Sequence, residues 1–106
     1  NALKLHQRTA ELLDALPHVD QRQLHALGDA LGGSDRTTLA AFTDSVDRWV
    51  TGKLRGEVTN ADLAQLARLA EVWEKISRAA RDVESFNLDR KPLVFSVFDQ
   101  LSEAMR

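Results

Sequence analysis

The stretch from Thr59 to Phe86 constrains the fold most, because its apolar residues recur at the spacing of one long helix. At about 100° per residue they cover an arc of roughly 200°, about twice the width that a surface helix buries. We therefore expect this helix to have neighbours on two sides and the rest of the chain to pack around it. Thr59 is the expected N-cap, and Asp62 completes an imperfect capping box. The apolar positions are Leu63, Leu66, Leu69, Ala70, Val72, Trp73, Ile76, Ala80 and Val83.

Two shorter helices are expected before this stretch. The first spans Leu3 to Leu16 and ends there, because Pro17 disfavours helical backbone in the residue before it. The second runs from Gln21 to Leu31. Asp20 caps its start, and the pair Gly32-Gly33 stops it at its C-terminus.

A third helix is expected between the second helix and the long one. Ser34 or Asp35 caps its start, and Leu39, Phe42 and Val46 belong to its apolar stripe. It is expected to end in the segment 52–56, where a glycine stands at either side of a short turn.

The last helix follows a tight connection at Asn87-Leu88-Asp89 and is expected to run from Arg90 to Met105. Asp89 caps its start. Pro92 sits in its first turn, where a missing backbone N–H costs nothing.

Together these segments predict an all-α fold of about five helices, a collar-like bundle in which residues 1–106 form a single domain. The formal net charge of -2 argues against a nucleic-acid binder with a general basic surface. The absence of cysteine excludes disulfides and thiolate metal sites. No apolar run approaches the ~20 residues of a membrane span. Because the chain begins Asn1-Ala2 without an initiating Met, we expect a fragment of a longer protein, with residues 1–2 as a cloning remnant.

No group of residues in the sequence has the spacing of a reactive site. The histidines His6, His18 and His25 lack the i, i+4 spacing of a helical zinc site, so no metal is expected. Glu71 and Glu74 share a face with basic residues, which is typical of a solvated helix surface. We therefore expect no catalytic residues, no cofactor and no enzymatic activity in this chain.

Two aromatic positions allow more than one interpretation. Trp49 and Trp73 resemble a stacking platform for bases, but each lies on the apolar stripe of its helix, which favours core packing. Phe95 falls outside the apolar arc of the last helix. Together with Phe86 and Leu88, it is either a satellite of the core or part of an exposed patch for another subunit.

Several segments resemble the C-terminal end of the delta-prime subunit of the bacterial DNA polymerase III clamp loader, most closely the version in alphaproteobacteria. The resemblance is clearest at Leu69–Ile76 (LAEVWEKI), at Asn87–Lys91 (NLDRK) and at Val94–Phe98 (VFSVF). The segments Leu12–Pro17 and Leu24–Leu27 look like the opening helices of the same domain.

This resemblance implies an oligomerisation domain that joins the collar holding the clamp-loader subunits together for loading of the sliding clamp in DNA replication. Its partners are then the C-terminal domains of the other loader subunits. DNA and the clamp are reached only through the parent polymerase holoenzyme, whose ATPase activity lies in other subunits. The nucleotide-site remnants, zinc cysteines and arginine finger of the family lie in N-terminal modules, so none is carried over. Pro92 departs from the polar residue expected there, at a position that tolerates it.

We thus expect a cytoplasmic assembly module without membrane contact, whose last two helices offer surface to neighbouring subunits. The predicted interface residues are Arg90, Lys91, Phe95 and Asp99. Three alternatives stay open: a helix-turn-helix regulatory domain, a small helical ligand-binding or interaction module, and a domain that associates only with itself.

Overall fold

The computed structural model describes residues 2–32, 36–55 and 63–106, with side chains from Lys4 onwards. Within these ranges every regular element is an α-helix, so the predicted all-α fold is confirmed. The helices are α1 (Ala2–Asp14), α2 (Gln21–Leu31), α3 (Arg36–Arg55), α4 (Leu63–Ser85) and α5 (Arg90–Ala104).

The starts of α2 and α5 lie where their capping residues predict. The Asp20 carboxylate accepts a hydrogen bond from the Gln23 backbone N–H at 3.2 Å, and Asp89 accepts one from Lys91 N–H at 3.3 Å. Both bonds satisfy donors that the first helical turn leaves without a partner. The helix α1 ends at Asp14, two residues before the predicted end, and a turn leads to Pro17.

Helix α3 ends at Arg55, inside the segment 52–56 that is predicted to end it, but Gly52 itself and the residues up to Arg55 are helical rather than a turn. The helix continues through Gly52 to Arg55, although a glycine in a helix interior costs about 1 kcal/mol relative to alanine. Val50 is fully buried, and the Lys53 ammonium lies 5.5 Å from the centroid of the Trp49 ring. Trp49 and Lys53 lie one turn apart on either side of Gly52, so this contact within α3 spans the glycine.

Some predicted helix boundaries lie outside the described residues. They are the alternative caps of α3 at Ser34 and Asp35, and the cap of α4 at Thr59 with its partner Asp62. The described part of α4 ends at Ser85, one residue before the predicted end.

Helix α4 packs against α3 on one side and α5 on the other, which agrees with the prediction of two neighbours. Its fully buried residues are nevertheless only Leu69, Ile76 and Val83, spaced by seven. Leu63, predicted to belong to the buried arc, is 78% exposed. Alanines widen the apolar arc of α4 without burying much area, so the arc overstates how deeply this helix lies.

Helix α5 is more deeply buried than α4, which differs from the expectation that the chain packs around the long helix. Val94, Phe98 and Leu101 on α5 have no exposed surface. Their helix lies between α2 and α4. The Phe98 ring also reaches Phe42 of α3, with ring centroids 6.3 Å apart.

The connection between α4 and α5 is as tight as predicted. Asn87 adopts a left-handed backbone conformation with φ of 52°. The Leu88 N–H donates to the Val83 carbonyl at 3.0 Å, the long hydrogen bond of a Schellman motif. The direction in which α5 leaves α4 is therefore fixed by the conformation of one residue.

Asn87→Val is expected to lower the free energy of unfolding by about 1–2 kcal/mol, because a β-branched residue is strained in the left-handed region. Asn87→Gly is the control and is expected to change stability by about 0.5 kcal/mol or less. Urea unfolding of both variants measures the difference. Equal stability of the two variants would contradict the assigned turn geometry.

Candidate interaction surface

The seam between α2 and α5 holds three of the four predicted interface residues. Gly28, in the middle of α2, lets the two helices approach closely. A Cβ atom at this position would lie 3.0 Å from Lys91 Cγ and 3.5 Å from Phe95 Cε1. A larger residue at position 28 would push the side chains of α5 outward.

An ion pair crosses this seam between Lys91 and Asp29. The Lys91 Nζ lies 2.6 Å from an Asp29 carboxylate oxygen. The hydrogen bond from Lys91, together with its charge, lowers the pKa of Asp29 below its ordinary value, and the His25 side chain adds a smaller effect in the same direction. Both partners are partly solvated, so the pair contributes little to stability.

Lys91→Gln is expected to raise the pKa of Asp29 towards its ordinary range, because both the hydrogen bond and the charge are lost. The folded-state pKa of Asp29 is lowered, so its contribution to stability is present above its unfolded pKa of about 3.9 and is lost as pH falls through the folded value. In the Lys91→Gln variant, the part of the folding stability that depends on Asp29 ionisation at acid pH is therefore lost. An NMR titration of the Asp29 carboxyl carbon measures the shift, with Lys75→Gln on exposed α4 surface as control. An unchanged titration in Lys91→Gln would contradict the ion pair.

Phe95 is half-buried in the same seam and packs against the core. Its ring lies 4.8 Å from the His25 ring, centroid to centroid, at an interplanar angle of 57°. The Lys91 ammonium lies 5.9 Å from the Phe95 centroid. The structure thus gives Phe95 intramolecular contacts, and the same side chain lines a groove.

That groove, which we call the polar groove, has a volume of about 720 Å³ and lies between α5 and the segment 17–25. Phe95 and Asp99 line it together, with Asp99 exposed. His18 and His25 face it from the other side, and Ser102 donates a hydrogen bond to the Pro17 carbonyl at 3.0 Å.

Arg90, the remaining predicted interface residue, lies apart from this groove. Its guanidinium is 3.5 Å from the Thr38 hydroxyl of α3. The structure therefore brings Lys91, Phe95 and Asp99 to one side of α5, while Arg90 ties the start of α5 to α3.

A second surface, the turn patch, consists of Phe86 and Leu88 on the two sides of Asn87. Phe86 is 70% exposed and Leu88 is 51% exposed. This pair is not among the predicted interface residues, although the sequence places both side chains near Phe95 in a possible exposed patch. The sequence signal is their position, because both side chains lie beside the predicted tight connection at Asn87-Leu88-Asp89, where the apolar pattern of α4 ends.

The two tryptophans lie in different grooves and do not form one platform. Trp73 lies between α3 and α4, while Trp49 lies beside α1 in a groove that also contains His6 and Ser45. Both tryptophans pack against the core. The Trp49 Nε1 is buried without a hydrogen-bond partner among the described residues. His6 Nδ1 forms a hydrogen bond with the Ser45 hydroxyl.

Within the described part of the chain, no three histidine or carboxylate side chains converge in a way that could hold a metal ion. Across ranges 2–32, 36–55 and 63–106, no helix has both the length and the apolar content that crossing a membrane requires. Comparisons with protein-family models, with curated proteins and with solved structures found no match.

Proposed function

We propose that this chain is an oligomerisation domain of the collar type, equivalent to the C-terminal domain of a delta-prime subunit in a DNA polymerase III clamp loader. The observation that supports this most is the turn patch. It presents a phenylalanine and a leucine to solvent at the junction of α4 and α5, where Leu88 lies in the segment Asn87–Lys91 that carries the sequence resemblance and Phe86 directly precedes it.

The turn patch has the properties of a docking element rather than of a loose loop. The Asn87 conformation and the hydrogen bond between Leu88 and Val83 fix the backbone that carries both side chains. A partner therefore meets apolar surface that loses little conformational entropy on binding. Large apolar side chains exposed on both sides of one residue supply the apolar surface that protein–protein contact sites use.

In this proposal the partners are the C-terminal domains of the other clamp-loader subunits, in the cytoplasm. The chain itself carries no catalytic residues and no cofactor, and it reaches DNA and the sliding clamp only through the assembled loader. The predicted residues Lys91, Phe95 and Asp99 would border the contact along α5, and Arg90 would hold the start of α5 in place.

The test is to mix the chain with the C-terminal domains of clamp-loader subunits and to measure the affinity of the resulting complex by sedimentation velocity. Phe86→Ser is expected to weaken the complex at least tenfold, the effect of losing about 1.4 kcal/mol at an interface anchor. Leu54→Ser is the matched control, because Leu54 is another exposed apolar residue, located near the end of α3.

A complex that forms equally well with Phe86→Ser and with the unchanged chain would contradict the role of the turn patch. Binding of duplex DNA by the chain alone, with a steep dependence on salt, would instead support the helix-turn-helix alternative.

A further inference from the structure

A second groove, which we call the α3–α4 groove, lies on another face of the molecule and has a volume of about 470 Å³. Its floor is mostly apolar and includes the buried side chains of Leu39 and Ile76. Trp73, Ala40 and Ala80 complete the floor. The small side chains leave room for another backbone to approach both helices.

The two walls of this groove run antiparallel. They come from residues 36–47 of α3 and residues 73–84 of α4, so the first half of α3 lies beside the second half of α4. If the walls ran parallel, with Arg36 beside Trp73 and Asp47 beside Glu84, the end of α3 and the start of α4 would lie far apart. At about 1.5 Å of rise per residue, Arg55 and Leu63 would be separated by about 40 Å. The eight residue steps between them span at most about 28 Å. Arg36 therefore lies at the same end of the groove as Arg81 and Glu84, and Asp47 lies at the other end.

The two ends of the α3–α4 groove therefore carry opposite charges. At one end Arg36, Arg81 and Glu84 leave a net positive charge. At the other end Asp44 is paired with Arg48 at 3.1 Å, while Asp47 forms no ion pair with any described residue. The Asp47 carboxylate and a net positive charge therefore lie at opposite ends of an apolar floor.

A helix fits this groove better than an extended peptide does. The walls are helices whose own backbone groups are already hydrogen-bonded within each helix, so they offer few partners to an extended chain. A docking helix satisfies its backbone internally and needs only an apolar stripe. The distance from Trp73 to Glu84 along α4 is about 16 Å, which matches about three helical turns.

We infer that the α3–α4 groove is the docking site for an amphipathic helix of a partner protein. That helix carries an apolar stripe of about three turns, with a basic residue at the end that meets Asp47 and an acidic residue at the end that meets Arg36 and Arg81. The inference deepens the proposed function, on which it rests for the identity of the partner.

Two synthetic helical peptides with the same leucine stripe test the groove directly. One has Lys at one end of the stripe and Glu at the other, and its counterpart has Glu at both ends. Binding is followed by the fluorescence of Trp73 in a Trp49→Phe background, and the Trp73→Phe background serves as the silent control. The dissociation constant of the Lys/Glu peptide is expected to be lower than that of its counterpart by a factor of about three or more. Asp47→Lys is expected to reverse that preference.

Two Ala→Glu variants test whether binding depends on the floor of the groove or on the surface in general. Ala40 lines the groove and Ala26 lies exposed on α2 outside it. Ala40→Glu is expected to abolish binding of the Lys/Glu peptide and to weaken the complex with clamp-loader domains at least tenfold. Ala26→Glu is expected to change neither.

The outcomes distinguish this inference from the proposed function. A complex with loader domains that tolerates Ala40→Glu, together with peptides that leave Trp73 fluorescence unchanged, would overturn the inference and leave the collar proposal standing. Charge-dependent peptide binding without any loader complex would support the groove and contradict the collar proposal. A dimer of the chain alone that Ala40→Glu dissociates would overturn the inference, because a second copy would then fill the groove.

Discussion

Phe98→Ala is expected to lower the free energy of unfolding by about 3–5 kcal/mol, the range for removing a fully buried phenylalanine. Phe98 has no exposed surface, and its ring centroid lies 6.3 Å from that of Phe42. It lies on α5, the helix between α2 and α4, so the cavity opens at the centre of the bundle. A domain is stable by only about 5–15 kcal/mol, so the variant would lose a large part of its stability.

Urea unfolding followed by circular dichroism measures this loss. Phe86→Ala is the matched control, because Phe86 is 70% exposed and its truncation is expected to change stability by about 0.5 kcal/mol or less. A loss below about 1 kcal/mol for Phe98→Ala would contradict the position of α5 at the centre of the core.

Phe95→Ala is expected to cost about 1–3 kcal/mol, less than the fully buried ring because Phe95 is only half-buried. The variant loses the contact with the His25 ring and the packing against Gly28 in the seam between α2 and α5. Thermal unfolding of the isolated chain measures the change. The size of this change decides between the two roles open to Phe95, which are packing beside the core and contact with another subunit.

Ser96→Ala is the control for this second prediction, because Ser96 is the exposed neighbour of Phe95 on α5. A melting temperature of Phe95→Ala that equals that of the unchanged chain would show that the ring contributes nothing to the monomer. The contacts described across the seam would then be wrong, and Phe95 would belong with Phe86 as partner surface.

Local signals in the sequence predict the helix starts and the connection well. Asp20 and Asp89 predict the starts of α2 and α5, because a side-chain acceptor before a helix satisfies a free N–H group wherever the helix later packs. The tight connection at Asn87 is predicted for the same reason: it is a property of a few consecutive residues. Such signals depend little on the rest of the fold.

Tertiary contacts overturn the sequence predictions elsewhere. Gly52 is a local helix breaker, yet α3 continues through it as far as Arg55. The apolar arc of α4 predicts the most buried helix, yet α5 is more deeply buried. Periodicity shows which residues share a face, but it does not show how much area a neighbour covers on that face.

The candidate surfaces could be predicted only in part. Phe95 and Asp99 lie beside the same groove, as their positions one turn apart on α5 allow. The contacts of Lys91 with Asp29 and of Arg90 with Thr38 join residues more than fifty positions apart, and no local pattern shows them. The α3–α4 groove depends on the relative placement of two helices, so the sequence alone does not reveal it.

The most direct test of the account is the mass of the species formed when the unchanged chain is mixed with the C-terminal domains of the other clamp-loader subunits. Sedimentation equilibrium at several concentrations gives that mass. We expect a defined hetero-oligomer that contains the chain. A chain that keeps its monomer mass with every partner domain would contradict the proposed role in assembly.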